Sequence, residues 1–188
     1  MSQNEADTRA NLIDPKLVSA GWGEIETSFI RREVGITHGR IMAGGKRASS
    51  LSSDYVLEYR GRKLAAVEAK RENLSYTEGV RQAKDYAQRL QCRIAYATNG
   101  HEIYQIDLLT GKEGLVDSFL SPDALWQLTF DPQSGVAEPA FAAQWRERFA
   151  QISFECKGDW QPRYYQENAI NNALESIAQG RQRILLTL

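Results

Sequence analysis

The sequence contains few of the residues on which secreted domains and zinc sites depend. Among its 188 residues there are two cysteines, Cys92 and Cys156, and two histidines, His38 and His101. Neither cysteine has a closely spaced partner, which argues against a disulfide framework and against a zinc site. The histidines are too few and too far apart to form a metal cluster, so we interpret each of them as a loop residue.

Long apolar runs are also missing. No leading apolar segment has the pattern of a signal peptide, and no run approaches the length required to cross a membrane. A chain of this length can bury one substantial core, with room for an appendage. We therefore expect a reduced, cytoplasmic protein with no membrane association.

Net charge is nearly absent as well, because the chain carries −1 at pH 7. The charge is unevenly distributed, however. Residues 31–71 contain ten Lys or Arg and four Asp or Glu, which leaves this segment at +6 and the rest of the chain at −7. A basic segment of this kind favours a phosphate-binding face. The alternative is that its charges lie on solvated strand edges and loops.

Within the basic segment, two apolar stretches surround a turn at residues 60–62, a pattern typical of a β-hairpin. Asp54 begins the first stretch, and the second ends in Glu68, Ala69 and Lys70. Because side chains alternate along a strand, Glu68 and Lys70 share one face while Ala69 points to the other.

The length of the hairpin loop decides whether the two carboxylates meet. A three-residue loop centred on Gly61 places Asp54 opposite Glu68, and opposed residues lie on the same face. A two-residue loop of Arg60 and Gly61 would oppose Asp54 to Val67 and turn the aspartate away, because a one-residue slip flips every side chain. We predict the three-residue loop, a common connection with glycine in the left-handed region.

Two carboxylates and a lysine at one spot are what metal-dependent phosphodiester cleavage requires. Carboxylate oxygens hold a hard divalent cation, which polarises the phosphate and lowers the pKa of an attacking water. A lysine can orient that water or neutralise the charge that builds on the phosphorane. The alternative is a set of solvated charges at strand ends.

The segment 73–91 is predicted to form a helix after this hairpin. Its core stripe of apolar residues at helical spacing consists of Val80, Ala83, Ala87 and Leu90. Gln82 and Tyr86, four residues apart, lie together at one edge of that stripe. A strand ending in Glu-x-Lys followed by a helix with Gln-x-x-x-Tyr is much rarer than either half, which favours a functional site.

The hairpin and the helix together resemble the PD-(D/E)xK nuclease superfamily, in the branch with an added Gln-x-x-x-Tyr motif. The residues that carry the resemblance are Asp54, Glu68, Ala69, Lys70, Gln82 and Tyr86. That branch includes nuclease domains of RecB-type enzymes and of the restriction (R) subunits of type I restriction-modification systems. Segments 5–22 and 97–100 are similar to the type I subunit, and the resemblance covers residues 5–107. Ser53 stands where the superfamily has proline, at a position that carries no chemistry.

The resemblance implies an α/β fold with a restriction-endonuclease-like core, in which helices flank a central mixed β-sheet. It also implies that Mg²⁺ is bound by the carboxylates of Asp54 and Glu68 and by the Ala69 carbonyl. Members of the superfamily can take a further ligand from the first helix. We interpret Glu5 as a solvated acid and leave it outside the predicted site.

The remaining site residues have implied roles in catalysis. Lys70 would position the nucleophilic water, while Gln82 and Tyr86 would brace the site and contact the phosphate. In the whole enzyme, modification and specificity subunits would recognise double-stranded DNA, and ATP-driven translocation would trigger the cut. Two rivals remain open: a RecB-like helicase-nuclease, and a nuclease-like fold used only to bind DNA or partner subunits.

The rest of the domain is predicted from periodicity and turn residues. Helices are expected at 5–19 and 121–128, and strands at 24–34, 93–98 and 101–108. The first helix should restart at Pro15 after a cap at Asp14. The strand at 93–98 should run parallel to the Glu68 strand. Residues 39–53, rich in glycine and serine, are expected to form a mobile loop that closes over DNA.

The C-terminal part resembles a different family. Residues 160–170 are similar to the Q motif of superfamily 2 helicases and translocases, in which Arg163 and Gln166 would bind the nucleotide, and residues 183–188 to the strand that follows. No Gly-x-x-x-x-Gly-Lys-Thr occurs in the chain, so ATP binding is expected only of the full-length protein. The alternative is a helix and a strand that complete the nuclease domain.

The predicted organisation is a nuclease domain at 1–130, a linker and helix at 131–160, and the start of a motor lobe at 161–188.

Overall fold

The structure is a computed structural model that describes residues 4–37, 51–130, 141–151 and 163–186. The strands are β1 (Ser28–Thr37), β2 (Leu51–Tyr59), β3 (Arg62–Ala69), β4 (Ile94–Thr98), β5 (Ile103–Asp107) and β6 (Glu113–Val116). The helices are α1 (Glu5–Thr8), α2 (Asp14–Ser19), α3 (Thr77–Leu90), α4 (Pro122–Phe130), α5 (Ala142–Ala150) and α6 (Tyr164–Ala178), with a π-helical segment (Arg9–Ile13) between α1 and α2. Within the described residues, no helix is long and apolar enough to cross a membrane.

The described strands form one sheet in the order β1-β2-β3-β4-β5-β6. All neighbours are antiparallel except β3 and β4, which run parallel because α3 connects them across one face of the sheet. The predicted α/β fold with a mixed sheet flanked by helices is therefore confirmed.

Most of the predicted elements are present with small shifts. The strand predicted at 93–98 is β4, parallel to β3 as expected, and the helix predicted at 121–128 is α4. The strand predicted at 24–34 begins only at Ser28, because a turn occupies residues 20–27. The edge strand β6 was not predicted; it is short and alternates between exposed and half-buried residues.

The sheet separates two apolar clusters. On one face, Trp22 and the N-terminal helices pack with α4 against Tyr55, Leu57 and Val67. On the other face, the apolar stripe of α3 packs against a second set of strand residues, namely Val56, Ala66, Ala95 and Ala97. The alternation of Tyr55, Val56 and Leu57 between the clusters fixes which residues of β2 point toward α3.

The loop between β2 and β3 differs from the three-residue loop predicted above. Tyr59 pairs with Arg62, so the loop has two residues, Arg60 and Gly61, and both are left-handed with φ of 50° and 70°. This is the geometry of a two-residue hairpin whose twist matches that of its strands. By itself it would have produced the register that separates the two carboxylates.

A β-bulge restores the register that the loop would have lost. Glu58 pairs with Lys63, but the next pair joins Leu57 to Ala65, so Leu64 is an extra residue on β3. Leu64 and Ala65, although adjacent, both belong to the same apolar cluster, which is the effect of one inserted residue. From Ala65 onward, β3 has the alternation that the sequence predicted for Glu68 and Lys70.

The N-terminal helical segment is continuous from Glu5 to Ser19, but it does not restart at a cap. Asp14 has helical dihedral angles, with φ −55° and ψ −47°, so it is not the predicted N-cap. Its carboxylate instead accepts hydrogen bonds from Arg32 on β1 and from the Tyr55 hydroxyl on β2. Pro15 does lie at the start of α2, as predicted.

The C-terminal helix α6 packs on the same sheet. Arg62 of β3 donates hydrogen bonds to the Asn171 carbonyl oxygen at 2.9 Å and to Glu175 at 3.3 Å, and Lys63 pairs with Glu167. Asn168 donates to the backbone carbonyl of Arg89 on α3 at 2.9 Å.

The predictions for the last strand, for the linker and for the glycine-rich loop have different outcomes. The strand predicted at 183–188 is absent from residues 183–186, which are exposed and have no strand partner in the described part of the chain. Of the linker and helix predicted at 131–160, residues 141–151 are described and contain α5, and the others lie outside the described residues, as does the glycine-rich part of the predicted loop. The last residues of that loop, Leu51–Ser53, instead begin β2.

Gly100 holds the N-terminal helical segment close to the end of β4. Its φ is 87°, and a Cβ atom added there would lie 2.6 Å from Leu12 Cβ. Gly100→Ala should therefore lower the free energy of unfolding by about 2–4 kcal/mol, from the left-handed backbone and the clash together. Gly111→Ala is the control, since φ is 72° but nothing lies within 4 Å, and should cost about 1 kcal/mol. Urea titration measures both; equal losses would contradict the close contact.

Candidate active site

The structure brings the predicted hairpin and helix residues together on the α3 face of the sheet. On β2, Asp54 precedes Tyr55, which pairs with Val67 of β3, and the Asp54 side chain lies on the same face as that of Val56. On β3, Glu68 follows Val67, and its side chain lies on the same face as that of Ala66. Antiparallel pairing therefore sets the two carboxylates side by side, as the sequence predicted.

Asp54 is held by contacts to both of its carboxylate oxygens. Oδ2 accepts a hydrogen bond from the Ala69 backbone N–H at 2.8 Å, and Oδ1 lies 3.5 Å from a guanidinium nitrogen of Arg9. Burial raises the pKa of Asp54, the Ala69 N–H lowers it, the charge of Glu5 raises it and that of Arg9 lowers it, with a net increase. The Asp54 carboxylate on β2 is thus held in place by a backbone N–H of β3.

Glu68 is the more strongly perturbed carboxyl group. Glu68 is only 5% exposed. Burial is the main cause that raises the pKa of its carboxyl group, and the charge of Asp54 is the next; although Lys70 lowers the pKa, the net result is a pKa of about 7. Glu68 is therefore about half protonated at neutral pH in the metal-free protein. Two carboxyl groups that oppose each other's ionisation form a site of excess negative charge, which favours a bound cation.

Lys70 connects the strand to the helix. Its Nζ donates hydrogen bonds to Glu68 Oε1 at 2.9 Å and to Gln82 Oε1 at 2.8 Å. Burial lowers the pKa of Lys70, but the hydrogen bond and charge of Glu68 raise it by more, so the net shift is upward and the ammonium stays charged. The lysine is thus a fixed positive charge beside the carboxylates.

Gln82 and Tyr86 lie on the α3 edge that faces these groups. Tyr86 is 5% exposed, and burial and the charge of Glu68 raise the pKa of its hydroxyl while a hydrogen bond with Gln82 lowers it. The helix comes this close because residue 79 is glycine: a Cβ atom there would lie 3.1 Å from Glu68 Cγ and 3.3 Å from Lys70 Cε. A side chain at Gly79 would push the helix away from the site.

The oxygen atoms of the site suit a hard divalent cation. The N–H of Ala69 points to β2, where it meets Asp54, whereas the N–H of Lys70 points to Thr98 of β4. Since the N–H and C=O of one strand residue point the same way, the Ala69 carbonyl also faces β2. Two carboxylates and this carbonyl form an all-oxygen donor set, and the described residues include no group of three or more His, Cys, Asp or Glu side chains placed to hold a metal.

Two charged residues of the N-terminal helix act on the site and were not assigned to it from the sequence. The charge of Glu5 raises the pKa values of Asp54, Glu68 and Lys70. Arg9 contacts Asp54 directly, although 45 residues separate the two in the chain. The spacing of four between Glu5 and Arg9, which places both on one helix face, was the one available signal.

In the described part of the basic segment, most of the positive charge is paired with acids. Of its ten cationic side chains, six pair with carboxylates. Arg71 is exposed and makes no ion pair with a described residue, and the other three lie outside the described ranges. Four of the pairs, those of Arg32, Arg60, Arg62 and Lys63, take their acids from other parts of the chain, so the excess charge is largely neutralised within the fold.

Arg163 and Gln166 lie at the start of α6, outside the candidate site. Gln166 Oε1 accepts a hydrogen bond from the Arg163 backbone N–H at 2.9 Å, which caps the first turn of the helix. This gives Gln166 a structural role in the described chain. Nucleotide binding by these two residues stays a prediction.

A mixed sheet that holds two carboxylates and a lysine beneath one helix defines an α/β domain with a nuclease-like fold. No family model matches the chain. It is 32% identical to the type I restriction enzyme EcoAI endonuclease subunit of Escherichia coli over 195 aligned residues, which cover 98% of this chain and 23% of that subunit. A solved fragment from Vibrio vulnificus, described as an HsdR subunit of a type I restriction enzyme, matches with a TM-score of 0.81 and 37% identity, covering 100% of this chain and 35% of that one.

These comparisons relate the whole chain to one kind of protein. The chain is homologous to part of the endonuclease (HsdR) subunits of type I restriction enzymes. It spans well under half the length of the relatives that it matches.

The raised pKa of Glu68 predicts a pH-dependent effect of Glu68→Gln on the metal-free protein. With a folded pKa of about 7 against the ordinary 4.5, ionisation disfavours the folded state, so stability falls as pH rises through 7. In the presence of a chelator, Glu68→Gln should raise Tm by about 2–4 °C at pH 8. At pH 5, where Glu68 is protonated in the folded state, the gain should be much smaller.

Calorimetry at pH 5 and pH 8 measures this difference. Glu58→Gln is the control on the same hairpin: it removes a carboxylate that pairs with Arg31 at 3.1 Å and should leave Tm unchanged or lower at both pH values. A Glu68→Gln variant that is less stable than the parent at pH 8 would show that the two carboxyl groups do not oppose each other.

Proposed function

We propose that this chain is the magnesium-dependent DNA-cleaving domain of a type I restriction subunit, with the PD-(D/E)xK site and the Gln-x-x-x-Tyr motif of that nuclease branch. The observation that carries the proposal is that Asp54 and Glu68 lie close together on adjacent strands, just beyond the Tyr55–Val67 pair, beside a lysine that reaches α3. The homology to type I endonuclease subunits supports the same reading.

The donor set fits magnesium. Asp54, Glu68 and the Ala69 carbonyl offer oxygen ligands alone, and a cation between the carboxyl groups would relieve the effect of the Asp54 charge on the ionisation of Glu68. Magnesium held there would polarise the scissile phosphate and lower the pKa of an attacking water. The N–H of Ala69 fixes the Asp54 carboxylate, so the ligands are positioned before the cation arrives.

Lys70 supplies the positive charge for the reaction. Its ammonium, 2.9 Å from Glu68 Oε1, is placed to hold the nucleophilic water beside the carboxylates or to neutralise the charge that develops on the phosphorane. The hydrogen bond to Gln82 at 2.8 Å directs the flexible lysine side chain toward the helix. Because its net pKa shift is upward, Lys70 is charged throughout the physiological range.

Gln82 and Tyr86 brace this arrangement from α3. Gln82 is exposed and accepts from Lys70, so its amide can also meet a DNA phosphate. Tyr86 is buried beneath it and supports its position. In the full-length enzyme we propose that modification and specificity subunits provide DNA recognition and that an ATP-driven motor triggers cleavage, with Arg163 and Gln166 binding the nucleotide.

The first test is divalent-cation binding by the chain. Isothermal titration with Mn²⁺ or Mg²⁺ should show binding that Asp54→Asn and Glu68→Gln each weaken at least about tenfold, because each removes an anionic ligand. Asp85→Asn is the matched control, since it removes a carboxylate from α3 that pairs with Arg89 at the surface. Unchanged affinity in both site variants would refute the metal assignment.

The second test separates chemistry from DNA binding in the assembled restriction enzyme. Lys70→Ala should reduce DNA cleavage by about a hundredfold or more while leaving DNA binding and ATP hydrolysis nearly unchanged, because the lysine acts in the transition state. Lys84→Ala, which removes a surface lysine paired with Glu113, serves as the control. Loss of ATP hydrolysis with Lys70→Ala would contradict the proposed separation. A parent enzyme that binds metal and DNA without cutting would favour the binding-only alternative.

A further inference from the structure

Arg9 lies at a point where the ladder between β1 and β2 is interrupted. Arg32 pairs with Tyr55 and Val34 pairs with Ser53, but no pair joins Glu33 to Asp54 between them. Glu33 has a φ of 52°, in the left-handed region that a side chain other than glycine rarely adopts. Arg9 occupies this break, with Nη1 and Nη2 each 3.4 Å from Glu33 Oε1 and Nη1 3.5 Å from Asp54 Oδ1.

The backbone that carries Arg9 is anchored close to the candidate site. Thr8 Oγ1 accepts a hydrogen bond from the Glu72 N–H at 3.1 Å, two residues beyond Lys70. Arg9 then begins the π-helical segment, a local widening of the helix that is frequent at functional positions. The start of the N-terminal helical segment is therefore anchored to the chain just after β3, and from there the Arg9 side chain extends to Glu33 and Asp54.

The contacts of the Arg9 guanidinium with Glu33 and Asp54 are both long. Distances of 3.4 and 3.5 Å lie beyond the usual range of charge-assisted hydrogen bonds, so neither contact is strong. The two partners also differ in environment, because the Glu33 side chain is 70% exposed and that of Asp54 only 17%. A guanidinium that leaves Asp54 thus has a solvated carboxylate already within reach.

We propose that Arg9 is an internal counter-ion of the carboxylate pair: it bridges Asp54 and Glu33 while no divalent cation is bound, and it releases Asp54 and keeps Glu33 alone when one binds. This rests on the proposed function, because it takes Asp54 and Glu68 as the cation ligands. Arg9 is a positioning residue and not a ligand. Its charge offsets the excess of acid in the metal-free site and competes with the incoming cation for Asp54.

This role predicts that Arg9→Gln has opposite effects on the stability of the metal-free chain and on its affinity for Mn²⁺. Arg9→Gln should lower the Tm of the metal-free chain, because Asp54 loses its counter-ion. The same change should tighten Mn²⁺ binding by about three- to tenfold, because no internal cation must be displaced. The rise in Tm on adding saturating Mn²⁺ should therefore be larger in the variant than in the parent. A purely structural arginine would lower stability without improving affinity.

The experiment compares the parent chain with Arg9→Gln, Arg9→Lys and Arg31→Gln by Mn²⁺ titration and by thermal melting with and without the metal. Arg9→Lys keeps the charge and should restore affinity close to that of the parent. Arg31→Gln removes the same charge from a surface pair with Glu58 and should leave affinity within about twofold. Glu33→Gln should weaken Mn²⁺ binding, since it leaves Asp54 as the sole described carboxylate partner of Arg9.

The outcomes distinguish this inference from the proposed function. A parent chain that binds no Mn²⁺ overturns the proposed function and the inference with it. A parent chain that binds Mn²⁺, with unchanged or weaker binding in Arg9→Gln, overturns the inference alone. An equal gain in affinity from Arg31→Gln also overturns it, because the effect would then belong to net charge. If Arg9→Gln does not fold, Glu33→Gln still decides by the direction of its change in affinity.

Discussion

The pairing of β2 with β3 is the constraint on which the rest of the site depends. A two-residue left-handed turn matches the twist of the hairpin but gives a register that would turn Asp54 away from Glu68. The extra residue Leu64 corrects that register and is stabilised by burial of its own side chain in the core. Apolar packing on one face of the sheet therefore fixes the carboxylate geometry on the other.

That geometry gathers negative charge in a place where the protein gains no stability from it. Burial and the charge of Glu5 disfavour the ionised forms of both Asp54 and Glu68, and the charge of Asp54 further disfavours that of Glu68. Lys70 offsets this only in part at both carboxyl groups, and Arg9 does so at Asp54. Such a cost is expected where function requires a site that is complete only with its cation. The close approach of α3 at Gly79 brings Gln82 and Tyr86 next to these carboxylates.

Charge counting along the sequence was a weaker guide than motif spacing. Most of the excess positive charge of the basic segment is paired with acids from other parts of the chain, including Glu167 and Glu175 of α6, which contact the beginning of β3. Those pairs also join the C-terminal helix to the strand that carries Glu68. A count of charges contains no information about partners more than a hundred residues away, so it could not reveal these pairs.

Local periodicity determined much of this protein. Alternation placed Glu68 and Lys70 on one face of a strand, and spacing of four placed Gln82 and Tyr86 on one edge of a helix, because both follow from backbone geometry alone. Tertiary structure decided the rest. The bulge at Leu64, the helical geometry of Asp14 and the reach of Arg9 to Asp54 depend on packing between segments distant in sequence, and no local pattern records such contacts.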